Sequence, residues 1–150
     1  MIAQLELETG RLTWVSAGQP PPLVIRDARA RSLATTPATP LGAPSGGEAT
    51  RVREESLEPG DLLLLYTDGL TEARRADGEL LTLQGLTRFI EQEAAAGQTA
   101  PETLRRLRHA ILASRAELRD DATALLLEWR RGSEIELLPQ TVVDAHADRG

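Results

Sequence analysis

At 150 residues, with 41% hydrophobic and 27% charged side chains, the chain is long enough for one domain with a real core and too apolar for wholesale disorder. A net charge of -6, with only two Trp, one Tyr and one Phe, excludes a base-stacking platform and gives no electrostatic footprint for nucleic acid. The absence of Cys excludes disulfides, a thiolate zinc site and a cysteine nucleophile, so any metal must be bound by oxygen.

In chain order, Ile2 to Leu7 alternates apolar and polar residues, Thr9-Gly10 makes a turn, and Leu12 to Val15 follows as a hairpin partner. A β-meander is the simplest continuation. Gln19-Pro20-Pro21-Pro22 interrupts it, because three prolines cannot donate ladder hydrogen bonds, and Leu23 to Arg26 resumes as a strand. Arg29, Arg31, Arg51 and Arg53 could form a local basic patch. Thr36 to Gly47, with three prolines and three glycines, reads as a loop. Arg51 to Leu57 alternates weakly, Pro59-Gly60 turns, and Asp61 to Tyr66 carries the continuous apolar run of a strand covered on both faces.

The second half changes period. Leu86, Phe89 and Ile90 stand at i, i+3 and i+4 of a helix that closes in Ala94-Ala95-Ala96-Gly97. Thr99 and Glu102 have the spacing of a capping box, and Leu104, Leu107, Ile111 and Leu112 line one face of a second helix running to about Leu118. Ala124 to Leu127 is a further strand. Residues 131–150 read as a mobile tail beyond a domain spanning residues 1–130. No stretch approaches the roughly 18 apolar residues that span a bilayer, and Glu6, Glu8 and Arg11 occupy the place of a signal peptide's apolar segment. The sequence therefore predicts a soluble, cytoplasmic chain with no membrane insertion.

Two acidic clusters carry the chemistry. Leu62 to Leu65 runs straight into Tyr66-Thr67-Asp68-Gly69, while Asp120-Asp121-Ala122-Thr123 leads directly into Ala124 to Leu127. If the two strands are neighbours, their carboxylates converge. Like charges about 4 Å apart repel by roughly 4 kcal/mol at an intermediate dielectric, and a hard divalent ion relieves that repulsion. Each cluster also has a bland reading. Asp68-Gly69 alone is an ordinary turn, with Gly69 supplying positive φ, and Asp120-Asp121 after a helix is a solvated loop, although acids there oppose the helix dipole. His109, among Arg105, Arg106 and Arg108, reads as a solvated residue, and His146 falls in the tail. Ser45-Gly46-Gly47 lacks the lysine of a phosphate-cradling loop.

Taken in order, the pieces resemble the bacterial SpoIIE-type branch of the PPM family of metal-dependent serine/threonine phosphatases. Trp14-Val15-Ser16-Ala17-Gly18-Gln19-Pro20-Pro21-Pro22-Leu23 is similar to the family's Asn-Ala-Gly-His-Pro-Pro-Pro-Leu segment, with Ser16 and Gln19 in place of its Asn and His. Thr39-Pro40-Leu41-Gly42 resembles its Pro-Leu-Gly loop, Leu57-Glu58-Pro59-Gly60-Asp61 through Tyr66-Thr67-Asp68-Gly69-Leu70-Thr71-Glu72-Ala73 its strand and aspartate motif, and Asp120-Asp121-Ala122-Thr123 its closing motif.

The resemblance implies an α+β fold, the PPM-type α-β-β-α sandwich of mostly antiparallel sheets, incomplete at its N-terminus. It implies a binuclear Mn2+ or Mg2+ site in the complete domain. Asp68 and Asp120 would ligate one ion, Asp121 would serve as a second ligand or hydrogen-bond partner, Gly69 would keep the turn open, and Thr123 would support the ligands. The implied reaction is hydrolysis of phosphoserine or phosphothreonine on a regulatory protein, an anti-anti-sigma-factor-like substrate, by metal-bound water. The family's bridging carboxylate, an Asp before a Gly-His-Gly-like turn, belongs upstream of Met1, which implies weak or no activity for the chain as written and an exposed sheet edge suited to self-association. The alternative is a non-catalytic protein-binding module that keeps the phosphatase scaffold.

Overall fold

The computed structural model describes residues 1–33, 51–74, 79–112 and 122–131. Strand β1 (Ile2–Glu6) pairs antiparallel with β2 (Arg11–Val15) in the hairpin that the Thr9-Gly10 turn predicts, with Gly10 at φ 75°. The third strand does not extend this sheet as a meander would. The chain crosses over through Gly18 and the prolines, so β3 (Leu23–Arg26) belongs to a second sheet, and β2 takes β5 (Arg53–Ser56) as its other neighbour. Pro22, which has no N–H to give, is buried and accepts at its carbonyl from Leu33 N at 2.8 Å. Its role is structural.

The second sheet has the order β4-β3-β6-β7, with β4 at Arg29–Ser32, β6 at Leu62–Tyr66 and β7 at Ala124–Glu128, every pair antiparallel. Strand β4 carries no apolar alternation in its sequence Arg-Ala-Arg-Ser, and its hairpin is closed by Asp27 and Ala28 at φ 50° and 58°. These are the two left-handed positions of a two-residue hairpin turn, held here without the usual glycine.

The continuous Leu run of β6 reflects two buried faces. Leu62, Leu64 and Tyr66, with Leu23, Ile25 and Leu126, face α2 (Thr82–Ala95) and α3 (Ala100–Leu112), where Leu86, Ile90, Leu107 and Ile111 complete one core. Leu63, with Val24, Leu33, Leu127 and Trp129, meets Leu12, Trp14 and Leu57 of the first sheet in a second core. Burying a Leu side chain contributes roughly 1.5–3 kcal/mol, so β6 is the strand both cores depend on most. The layers run sheet, sheet, helices. Among the described residues, no helix covers the outer face of the three-stranded sheet, and no helix is long and apolar enough to cross a membrane. The expected loop at 36–47, the extension of α3 beyond Leu112 and the tail from residue 132 lie outside the described residues.

Candidate functional site

The expectation that the two acidic strand ends are neighbours holds at the level of the strands. β6 and β7 pair antiparallel from Leu62↔Glu128 to Tyr66↔Ala124, so the end of β6 and the start of β7 lie side by side. One step past the last ladder pair, Thr67 N donates to Thr123 O at 3.1 Å, and Thr123 N donates to Thr67 Oγ1 at 2.9 Å. The chain then turns into α1 (Asp68–Thr71).

Thr67 is the N-cap of α1, extended at φ -97° and ψ 160°, and its carbonyl accepts from Leu70 N at 3.1 Å. Asp68, the first residue of α1, is exposed, and its Oδ1 accepts from Gly69 N at 3.0 Å. The Asp68 carbonyl takes Thr71 Oγ1 at 2.9 Å and Glu72 N at 3.0 Å, which holds the short helix closed. Gly69 is buried and helical; it does not supply the positive φ expected of a glycine in a turn, because the extended Thr67 makes the change of direction instead. Tyr66, just before the site, is buried in the helix-side core, and that burial pushes its phenol above its ordinary pKa.

Of the sequence-predicted residues, Asp68, Gly69 and Thr123 are thus brought to one edge of the four-stranded sheet. Asp120 and Asp121 lie outside the described residues. Among the described residues, no three His, Cys, Asp or Glu side chains gather closely enough to hold a metal ion by themselves. Of the described residues at this edge, the Asp68 carboxylate is exposed, with one oxygen accepting from Gly69 N, and is an oxygen donor of the kind a hard divalent cation takes. The sequence reading did not single out Thr67, whose hydroxyl joins the two strand ends. The signal was available in the mirrored threonines, one directly before Asp68 and one two residues after Asp121.

The opposite end of β6 is organised by Asp61, also not singled out. It is 2% exposed and accepts from Arg26 Nε at 2.9 Å, Arg26 Nη2 at 2.6 Å and Glu58 N at 2.8 Å. Burial by itself pushes this carboxyl up; the hydrogen bonds and charge of Arg26 and the Glu58 N–H outweigh it and leave the pKa below the ordinary aspartate value. Gly60, at φ 96°, supplies the positive φ that the Glu58-Pro59-Gly60-Asp61 turn needs. Ser16, in place of the family's Asn, is buried and donates to the Gln19 carbonyl at 3.1 Å, closing the turn before the prolines. Of the arginines read as a basic concentration, Arg31 pairs with Glu55 at 3.0 Å. His109 is exposed on α3, as read.

The sequence profile described as Stage II sporulation protein E (SpoIIE) matches residues 1–130. The RsbU and RsbW domains of Rv1364c from Mycobacterium tuberculosis share 32% identity over 86% of this chain and 35% of theirs, with a TM-score of 0.67. The Mn-presoaked phosphatase domain of the cell fate determinant SpoIIE from Bacillus subtilis has a TM-score of 0.62 at 16% identity, over 86% of this chain and 55% of that one. The SiaA-PP2C domain of Pseudomonas aeruginosa has a TM-score of 0.63 at 22% identity, over 79% of this chain and 46% of that one. This chain therefore spans between about a third and just over half of those structures.

Proposed function

Because the chain belongs to the SpoIIE family, a family of protein phosphatase domains, we propose that it contributes one edge of a metal-dependent phosphoserine and phosphothreonine phosphatase site, with Asp68, Asp120 and Asp121 as its carboxylates. The observation that carries this reading is the β6·β7 pairing, which sets the residue before Asp68 against the residue two after Asp121.

Mn2+ or Mg2+ bound there would lower the pKa of a coordinated water and neutralise phosphate charge. The chain's own part is to present carboxylate oxygens at a rigid sheet edge. Thr67 and Thr123 hold the two strand ends, and α1 fixes the Asp68 backbone. The substrate is a phosphorylated regulatory protein of bacterial signalling, of the anti-anti-sigma-factor kind, and the location is cytoplasmic. The resemblance supports the substrate and the composition supports the location, and the M. tuberculosis relative, with an RsbU domain and an RsbW domain, supports the signalling context.

The test is Mn2+-dependent release of phosphate from a phosphoserine peptide, with Asp68→Asn as control. Hydrolysis that disappears in Asp68→Asn supports the reading. Hydrolysis that is indifferent to Mn2+ or to that substitution refutes it.

A further inference from the structure

We infer that β1 is a docking edge for a second copy of this chain, the two β1 strands pairing antiparallel about a two-fold axis at Gln4. The inference is independent of the metal reading. An unpaired strand edge offers a row of N–H and C=O groups to any other strand, and folded chains blunt such edges with charge or cover. The two sheets have four edge strands, β1 and β5 in one, β4 and β7 in the other. β5 carries Arg53, Glu54 and Glu55, and Arg31 reaches Glu55 at 3.0 Å. β4 carries Arg29 and Arg31, and Glu91 Oε1 accepts from Ala30 N at 2.8 Å. β7 packs against α3, and among its residues Leu125 alone is exposed. β1 has no such protection. Ile2, Ala3 and Gln4 are all exposed, Ile2 at 76%, and among the described residues β2 is the one strand paired with β1. Its single charge, Glu6, is already engaged by Arg11 at 3.3 Å and by the Thr9 hydroxyl.

A second copy fits this edge because β1 is complementary to itself. In the β1·β2 register Ala3 stands against Trp14 and Leu5 against Leu12, both buried, so Ala3 and Leu5 lie on the core side while Ile2, Gln4 and Glu6 lie on the outer side. A two-fold axis through Gln4, normal to the sheet, pairs every residue of Ile2–Glu6: Ile2 opposite Glu6, Ala3 opposite Leu5, Gln4 opposite Gln4. Any other register pairs fewer. On the core side each Leu5, half-buried against the inter-sheet cluster, gains the exposed Ala3 of the other copy. On the outer side Glu6 meets Ile2 and stays clear of the second Glu6, whereas a slip that set Glu6 opposite Glu6 would oppose like charges. The main-chain hydrogen bonds supply attraction without a pocket, as in other strand additions. The product is one continuous sheet in the order β5-β2-β1-β1-β2-β5.

The experiment is sedimentation equilibrium of the full chain over a micromolar to millimolar dilution series. A reversible monomer–dimer equilibrium is expected, since a single strand pair is a small interface. Gln4→Lys sets like charges directly opposite one another across the axis and is expected to weaken the dimer about fivefold. Thr13→Lys adds the same charge to the same outer face one strand inward, opposite Gln4 in the β1·β2 register, and is expected to leave the dimer unchanged. The chain has no Cys, so Gln4→Cys carries its only thiol; with an added thiol oxidant it is expected to give a disulfide-linked dimer, and Thr13→Cys is expected not to. That cross-link also reads the contact if Gln4→Lys fails to fold. A chain that sediments as a monomer throughout overturns the inference. Equal weakening by Gln4→Lys and Thr13→Lys marks stacking of the outer faces and overturns it too, as does a dimer that Gln4→Lys leaves intact and Gln4→Cys does not cross-link.

Discussion

Arg26 grips Asp61 through both Nε and Nη2, at 2.9 and 2.6 Å, and so ties the end of β3 to the start of β6, the strand that two cores share. The same guanidinium reaches Glu58 at 2.6 Å and the Ser56 carbonyl at 3.2 Å, which brings the end of β5 into the network. Arg26 thereby links the two sheets at the end of β6 remote from Asp68.

Removing the guanidinium leaves the buried Asp61 carboxylate with the Glu58 N–H as its remaining hydrogen-bond donor among the described residues. Breaking a fully buried pair from one side costs about 3–5 kcal/mol; Arg26 is 35% exposed, and solvent reduces the loss to roughly 2–3 kcal/mol. Arg26→Met is therefore expected to lower stability by that amount in urea unfolding, and Arg26→Met with Asp61→Asn to cost less than the sum of the two single changes. Additive losses would show the pair to be uncoupled.

The same pair sets a pH dependence. Asp61 has its pKa lowered in the folded chain, so its contribution is fully present above the unfolded value near about 3.9 and is lost as pH falls through the lower folded value. Glu102, held down to about 2 by hydrogen bonds from Arg105 and Arg106, acts in the same direction but is solvent-exposed and contributes little. Stability should be level from neutrality to about pH 5 with respect to Asp61 and decline below about pH 4; in Asp61→Asn that acid limb should be shallower. Thermal melts across that range read the difference.

Gly10 sits at φ 75°, where an added Cβ would stand 2.7 Å from the Leu57 carbonyl oxygen and 2.9 Å from the Trp129 ring. Trp129 cannot yield easily, because its Nε1 donates to the Leu7 carbonyl at 3.2 Å and its backbone bonds both Gly60 and Asp61. Left-handed strain and overpacking together should make Gly10→Ala destabilising by about 2–4 kcal/mol. A melting temperature close to that of the unaltered chain would show that Leu57 and Trp129 can move away from the β1-β2 turn.

Ala28 presents the opposite case. It holds φ 58° in the β3-β4 turn without a glycine's freedom. Ala28→Gly should relieve roughly 1–2 kcal/mol of left-handed strain and return part of it to the greater freedom of the unfolded chain, for a net gain of about 0.5–1 kcal/mol. A melting temperature raised by about 2 °C is the expected result.

These positions show what was legible in the sequence. The Leu62 to Leu65 run and the 3.6-residue spacing of Leu86, Phe89 and Ile90 announce β6 and α2, because burial on two faces or one leaves its period in the residues. β4 leaves no such trace: an edge strand of Arg-Ala-Arg-Ser is fixed by its partner β3 and by Glu91 on α2, whose Oε1 accepts from Ala30 N at 2.8 Å. The pairing of β2 with β5 is equally silent, since Trp14 opposite Arg53 follows from how the chain is routed and not from local pattern. Asp68 and Thr123 were legible as strand-end residues. The hydroxyl of Thr67 left a fainter trace, a threonine beside each acidic cluster, because its bond reaches a residue 56 positions away.

Metal binding gives the last prediction its sign. A ligand that binds the folded chain and not the unfolded one raises stability by about 2.7 kcal/mol at a concentration one hundred times its dissociation constant. If Asp68 is a ligand, saturating Mn2+ should raise the melting temperature of this chain, a chelator should reverse the rise, and Ca2+ at equal concentration should give a different increment because it favours more ligands at longer distances. Asp68→Asn should abolish the Mn2+ response while leaving the metal-free melting temperature almost unchanged. Its carboxylate is exposed, and the bond it accepts from the adjacent Gly69 N can be kept by an amide oxygen. A metal-free melting temperature that falls sharply in Asp68→Asn would instead make Asp68 a structural cap of α1, and a Mn2+ response that persists there would place the metal elsewhere.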